Sequence, residues 1–395
     1  MSAWTLRAAT AASGRTTLRS LSACSSRAGS RRSRTDRRTG WSIDRVYAAL
    51  ASGQAVSGRS HAQFAPRRAQ FLRVQAPPMN VLQVRRMTRR FLEAAIWPLC
   101  LIANTAPIVA AAILAPHLVP QIAAATTAAL LLVLLAIEQA LPFRPEWSAD
   151  GDSDVWRDVG HMFAYAALAM NAARFGFLVV LARAVTALHL TDRFGLWPRA
   201  SPFWLQVVAV IVIGDALEYL YHRLAHSHPL LWRLHAVHHT PVRMNVLKGA
   251  RHHFLYAFGR GVVVWLPLLV LGAPAALIYW QFIAETITGL AGHANIRFRI
   301  PAFLHRLVVT PEYHRIHHAS DPRLAASNFG AVVPFWDMLF DTHIDPLRVS
   351  VQSTGILDDP IPRRFVAELA SPLTYGRLIA RRSSAGPPSP MDRDA

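Results

Sequence analysis

Six apolar blocks, at about 92–115, 120–142, 162–188, 204–221, 254–271 and 274–290, dominate the chain after its first ninety residues. Each approaches the roughly 20 residues that a helix needs to cross the hydrocarbon of a bilayer. Apolar residues run continuously within them instead of recurring at amphipathic spacing, so two soluble domains, which 395 residues would allow, do not account for the pattern. The balance of 52% hydrophobic against 16% charged residues agrees. The expected fold is all-α: a polytopic membrane helical bundle of four spans plus a helical hairpin, its tip at Gly272-Ala273-Pro274, with a cytosolic histidine-rich helical cap.

A formal charge of +19 would suggest a nucleic-acid partner if it covered one face, but it does not. Residues 1–90 hold 18 arginines against two acids, Asp36 and Asp44, whereas the remaining residues hold 24 Lys and Arg against 21 acids. The basicity belongs to a leader, and no nucleic acid is expected as partner. Residues 1–78 are rich in Arg and Ser, poor in acids and without sustained periodicity, so they are expected to be disordered, or to precede a true start at Met79 or Met87. The N-terminal transmembrane helices then occupy 79–200, a histidine-rich region 201–345 and a C-terminal tail 346–395. Lys248 is the sole lysine beside 41 arginines, a codon bias that points to a bacterial source and hence to a bacterial inner membrane. With the Arg-rich end inside, four spans and a returning hairpin leave every histidine cluster facing the cytoplasm. The acidic loop at 143–160 runs against that orientation, which rests on Arg85, Arg86, Arg89, Arg90 and the basic segments after 222.

Cys24 and Cys100 make neither a disulfide framework nor a metal motif, so thiol chemistry is excluded. Histidine is the informative residue. Thirteen of eighteen histidines fall between 222 and 318. They repeat a spacing: His222 and His226; His235, His238 and His239; His314, His317 and His318. On a helix, positions i, i+3 and i+4 share a face, so each HxxHH aims up to three nitrogens at one centre. Neutral imidazole suits transition metals, and eight such ligands exceed what one tetrahedral zinc can use, so two metal ions fit better. His61, His117, His161, His189 and His343 read as ordinary interfacial or core residues.

These residues sit in motifs that resemble the fatty acid hydroxylase / sterol desaturase superfamily of membrane di-iron enzymes. The likeness runs from Asp215 to Thr342 through DALEYLYHRLAH, LLWRLHAVHH, HANIRF, TPEYHRIHHASD, SNFG and WDMLFDT. It implies an O2-dependent hydroxylase or desaturase of a lipid, with two irons held by the eight histidines above and His293 as a ninth ligand. Two departures stand out: RHHFLYA keeps His253 but has Phe254 and Tyr256 where relatives tend to carry Pro and Glu, and Asp341 stands where Gly is usual. His228, His252, His253 and His305 are expected not to bind metal, with His253 a candidate to support a ligand from behind. Asp215 and Glu218, seven and four residues before His222, and Glu285, eight before His293, are candidates to hold the outer N–H of a ligand, or else polar contacts tying helices together.

No GxGxxG and no cysteine set for an iron–sulfur cluster is present, so the two electrons per turnover need a separate donor of ferredoxin or cytochrome type. Arg223, Arg233, Arg243, Lys248 and Arg251 are either its docking charges or ordinary flanking charges. Other readings are the second membrane histidine-box family of acyl-lipid desaturases and alkane hydroxylases, and a histidine-rich metal transporter. The nine-residue gap from His226 to His235 disfavours the first, and repeated helical spacing the second. Which lipid, hydroxylation or desaturation, and oligomeric state are not legible in the sequence.

Overall fold

The computed structural model describes residues 81–148, 154–164, 176 and 178–385. Among these no β-strand occurs; two isolated bridges, Pro142 with Ile296 and Ala319 with Thr354, only fasten loops. The helices in chain order are α1 Val81–Leu114, α2 Val119–Ala140, α3 Val155–Met162, α4 Leu178–Ala187, α5 Leu190–Phe194, α6 Phe203–Ser227, α7 Pro229–His239, α8 Phe254–Val270, α9 Ala275–His293, α10 Pro311–His317, α11 Pro322–Ala325, α12 Phe335–Leu339 and α13 Phe365–Ala385.

Among the described residues three helices are long and apolar enough to cross a membrane, Arg86–Leu114, Pro116–Ala140 and Phe203–Ser227, and they mark an integral membrane protein. Ile102, Ile113, Leu132 and Val133 on α1 and α2 are exposed. Such an apolar surface is expected where lipid covers it. The block expected at 162–188 is described only at its ends, by α3 and α4; residues 165–175 and 177 lie outside the described residues, as does the leader. The expected pair of apolar helices is present as α8 and α9, joined through Gly272 at φ 91°, a left-handed conformation that glycine adopts without a Cβ clash.

Two apolar cores hold the bundle. One joins α1, α2 and α9 through Trp97, Leu130, Leu134, Ile283 and Ile287; the other joins α4, α6, α8 and α9 through Val185, Val210, Trp265, Leu268 and Ile278. On this frame the chain leaves α6 at Ser227 and re-enters a helix at Pro229, whose missing N–H suits a first helical position. That sharp break folds α7 back against α6.

Of the segment after 345, expected as a tail, the described residues 346–385 include the helix α13. α13 packs on α7, where Trp232 Nε1 donates to the Tyr375 hydroxyl at 2.8 Å. It is also fixed by buried charges: Glu368 accepts from Arg157 at 2.6 Å, from Arg251, and pairs with His161 at 2.7 Å. Lys248 in turn contacts Asp158, which also accepts from Arg251 at 3.0 Å. Lys248 and Arg251 are therefore buried structural ions and not surface charges for a donor protein. Their partners lie about a hundred residues away in the chain, which no local pattern reveals.

Candidate metal centre

Helical spacing alone puts His222 and His226 on one face of α6, His235, His238 and His239 on α7, and His314 with His317 on α10, with His318 just past its end. α10 is set by Thr310, whose hydroxyl caps the helix by accepting from Tyr313 N, with Pro311 at the first position. His293 closes α9. Tertiary packing sorts these nine imidazoles into two groups. His222, His226, His235, His239 and His317 form one, and His238, His293, His314 and His318 the other. Within each group the candidate ligand nitrogens all lie within 4.8 Å of one another.

Three tautomers follow from the backbone. Nδ1 of His222 lies 2.8 Å from the Phe329 carbonyl, Nδ1 of His317 2.8 Å from the Ser327 carbonyl, and Nδ1 of His293 2.7 Å from the Gly289 carbonyl. A carbonyl only accepts, so each Nδ1 carries the proton and each Nε2 presents a lone pair. His222 Nε2 sits 3.0 Å from His235 Nε2, which is 3.1 Å from His239 Nε2. In the second group His293, His314 and His318 bring their Nε2 atoms to 3.1–3.3 Å of each other. Neutral imidazole has one N–H, so these convergent nitrogens cannot all be satisfied by one another. His317 Nε2 and His226 Nε2 are buried with no hydrogen-bond partner. A shared cation in each group satisfies them all, so the donor set fits two transition-metal ions.

Burial pushes His235, His238, His239, His314, His317 and His318 well below the ordinary imidazole value, and the neighbouring imidazoles push the same way. The rings are thus neutral, the form that ligates. Aromatic rings pack against the cluster, with ring centroids of Phe329 5.2 Å from His226, Trp232 5.2 Å from His226, and Tyr256 4.5 Å from His235. Tyr256 is the residue that replaces the usual Glu.

The carboxylates expected behind the ligands do other work. Asp215 accepts from the backbone N–H groups of Ala331, Val332 and Val333 and touches no histidine. Glu218 accepts from Arg260 Nε at 2.6 Å, and Glu285 accepts from Arg260 and Gln281. Three outer N–H groups go to carbonyls instead: the 327–330 loop brings carbonyls to His222 and His317, and the Gly289 carbonyl of α9 itself serves His293. His253 caps α8, accepting from Leu255 N at 3.2 Å, and pairs with the Leu369 carbonyl at 3.0 Å; it anchors α13 and supports no ligand. His228 is exposed, and His305 pairs with the Thr310 hydroxyl at 2.8 Å. His252, set aside in the sequence, stacks on His238 with ring centroids 3.9 Å apart.

Two residues that organise the site carried no assigned role in the sequence. Buried Asp337 accepts from Phe329 N at 2.8 Å, Gly330 N at 2.7 Å, the Tyr313 hydroxyl at 2.6 Å and the Thr342 hydroxyl at 2.7 Å. Asn328, in a left-handed conformation at φ 56°, bonds the Tyr313 and Ile344 carbonyls and Ile344 N. Together they fix the loop whose carbonyls orient His222 and His317. Their place in SNFG and WDMLFDT was the available hint.

A cavity of about 470 Å³ opens beside the cluster. His222, His235, His238, His293 and His314 line it, together with apolar residues that include Ala123, Ala128, Leu131 and Ile283.

Residues 207–342 match the fatty acid hydroxylase family. The chain is 31% identical over 243 residues to the ornithine lipid hydroxylase OlsE of Rhizobium tropici, covering 61% of this chain and 72% of that protein. It is 24% identical over 148 residues to an alkylglycerol monooxygenase of Xenopus tropicalis, covering 38% of this chain and 32% of that protein. To the fatty acid hydroxylase vlmA of Lecanicillium sp it is 28% identical over 165 residues, covering 37% and 44%. No solved structure gives a significant match. On the family match and the extent of the OlsE likeness, the chain belongs to the fatty acid hydroxylase / sterol desaturase superfamily.

Proposed function

We propose that this protein is a membrane-bound, O2-dependent non-haem di-iron oxidoreductase that hydroxylates a lipid. The observation that carries the reading is the pair of imidazole groups, five and four strong, facing one cavity with apolar walls. One ion would be held by His222, His226, His235, His239 and His317, the other by His238, His293, His314 and His318. Iron would supply the reduction of dioxygen and the oxidation of an unactivated C–H bond. The chain's own residues supply placement. The Phe329, Ser327 and Gly289 carbonyls hold three rings in the ligating tautomer. Phe329, Trp232 and Tyr256 pack against the cluster, and the cavity brings an apolar chain to its edge.

Hydroxylation is preferred to desaturation because the relatives named above are hydroxylases and monooxygenases, and a lipid with an amino-acid headgroup is favoured by the likeness to OlsE. A separate ferredoxin- or cytochrome-type protein would deliver electrons from the side bearing exposed Arg223. The cluster would face the cytoplasm of a bacterial inner membrane. Expression with a matched reductase, followed by iron analysis and lipid mass spectrometry, tests the reading. Two tightly held irons per chain and a lipid gaining one oxygen are expected. An iron-loaded protein that, with donor present, leaves every lipid class unchanged would refute it.

A further inference from the structure

The loop that orients His222 and His317 continues into α12 alongside the membrane-spanning part of α6. Asp215, which binds the N–H groups of Ala331, Val332 and Val333, lies in the middle of the candidate span Phe203–Ser227. Four residues further along α6, Tyr219 stacks on Phe340 with ring centroids 5.4 Å apart, and its hydroxyl meets Thr342 Oγ1 at 3.0 Å. A helix rises about 1.5 Å per residue, so these contacts set residues 331–342 against roughly the 10 Å of α6 that precede His222. Irregular backbone at that depth must find its hydrogen-bond partners inside the protein. It does: the N–H groups of Phe329 and Gly330 go to Asp337, the next three go to Asp215, and Pro334 has none to satisfy. The outward face of the segment is apolar. Phe335, Met338, Leu339 and Phe340 are 40–57% exposed, and the one charge in residues 328–340 is Asp337, which is buried. Charge returns directly beyond it. Asp341 is exposed, and so is Arg223, one turn past Tyr219, whose guanidinium donates to the Tyr219 hydroxyl at 3.0 Å. On α6 itself Leu220, next to Tyr219, is exposed as well, as are Trp204 and Val208.

We infer that residues 335–340 are a second membrane contact, which α12 sets into the interfacial region of the bilayer beside α6. The partner is the lipid that already covers the outer face of that span. Four large apolar side chains on a short turn without an outward charge mark an interaction surface, and an apolar face with a charged rim is what an interfacial segment needs. A bilayer that covers α6 up to Leu220 reaches the level at which Tyr219 holds Phe340. The contact enters the protein on the loop that carries the Phe329 carbonyl to His222, and so from the membrane side of the histidine cluster. The inference rests on the membrane-spanning character of α6 and is independent of the hydroxylase reading.

The full chain carrying Cys24→Ala, Cys100→Ala and Leu339→Cys is labelled at position 339 with nitrobenzoxadiazole and placed one molecule per phospholipid nanodisc. Leu132→Cys on α2 and Arg323→Cys on α11, both exposed positions, serve as lipid and water references in the same background. Nitroxide carried on the phospholipid acyl chains is expected to quench the label at 339 about threefold or more strongly than at 323, approaching its effect at 132, and iodide to show the opposite order. A label at 339 that iodide quenches as strongly as at 323 overturns the assignment. Protection from both quenchers overturns it too, because protein and not lipid would then cover α12. Should the labelled variant fail to fold, the wild type in discs containing a phospholipid with an acyl-chain diazirine decides. Photoadducts within residues 335–340 are expected, and labelling of α2 that spares them refutes the contact.

Discussion

Replacing Asp337 by Asn keeps the shape of a fully buried side chain and removes two of its acceptor positions. Each carboxylate oxygen now takes one backbone N–H and one hydroxyl: Oδ1 those of Phe329 and Thr342, Oδ2 those of Gly330 and Tyr313. A hydroxyl can turn and accept from the new amide, but a backbone N–H cannot. Whichever way the amide is oriented, either Phe329 N or Gly330 N faces an NH2 group without an acceptor. Hydrogen bonds to a charged group contribute about 1.5–3 kcal/mol, and a buried donor left unmade costs about 1–3 more, so the loss should be about 2.5–6 kcal/mol. A stability of about 10 kcal/mol, mid-range for a domain, leaves most of the protein folded. The loop that shifts is the one holding His222 and His317, so metal affinity should fall about 10–100-fold, as for other groups that orient ligands. Thermal unfolding in detergent measures the first effect and chelator competition the second. A variant within about 0.5 kcal/mol of the wild type, with the same chelator midpoint, would refute the claim that Asp337 builds the site through this loop.

Gly292→Ala should act in a direction opposite to helix propensity, which favours Ala by about 1 kcal/mol. A Cβ at 292 would lie 2.9 Å from His314 Cδ2, so the second histidine group should lose its ion and iron content drop toward one per chain; unchanged stoichiometry would contradict the packing. Asp341→Gly should raise the thermal midpoint by the equivalent of up to about 1 kcal/mol, because Asp341 sits at φ 56° where a Cβ is disfavoured; a lowered midpoint would show a side-chain role instead. Burial alone would raise the Glu368 carboxyl, but the His161 hydrogen bond and the Arg251 and Arg157 charges outweigh it and hold it below the usual value. A depressed carboxyl stabilises above the unfolded value and loses that contribution as pH falls, so α13 should become protease-sensitive below about pH 4.3, and Glu368→Gln, at a cost of about 3–5 kcal/mol, should make it so at neutral pH. Cleavage of α13 that ignores both pH and substitution would count against the ion network as its anchor.

What could be read from the chain were the periodic things. Apolar blocks gave the helices α2, α8 and α9 nearly to their ends, and α1 and α6 short of residues 81–91 and 222–227; the i, i+3, i+4 spacing gave eight of the histidines, and the family resemblance added His293. Blocks and spacing depend only on neighbours within two helical turns. The division of the nine into five and four was not legible, since it depends on how α6, α7, α9 and α10 approach each other. His238 and His239 are adjacent in sequence yet serve different groups, because consecutive helical side chains diverge by about 100° and only the facing helices decide what each meets. The supports behind the ligands escaped for the same reason. A carboxylate one turn from His222 was the natural guess, but a loop more than a hundred residues later brings carbonyls there first, and the acid that matters, Asp337, never touches a histidine. Local spacing fixes which side chains share a helical face. Long-range packing alone decides which backbone, which charge and which cavity that face will meet.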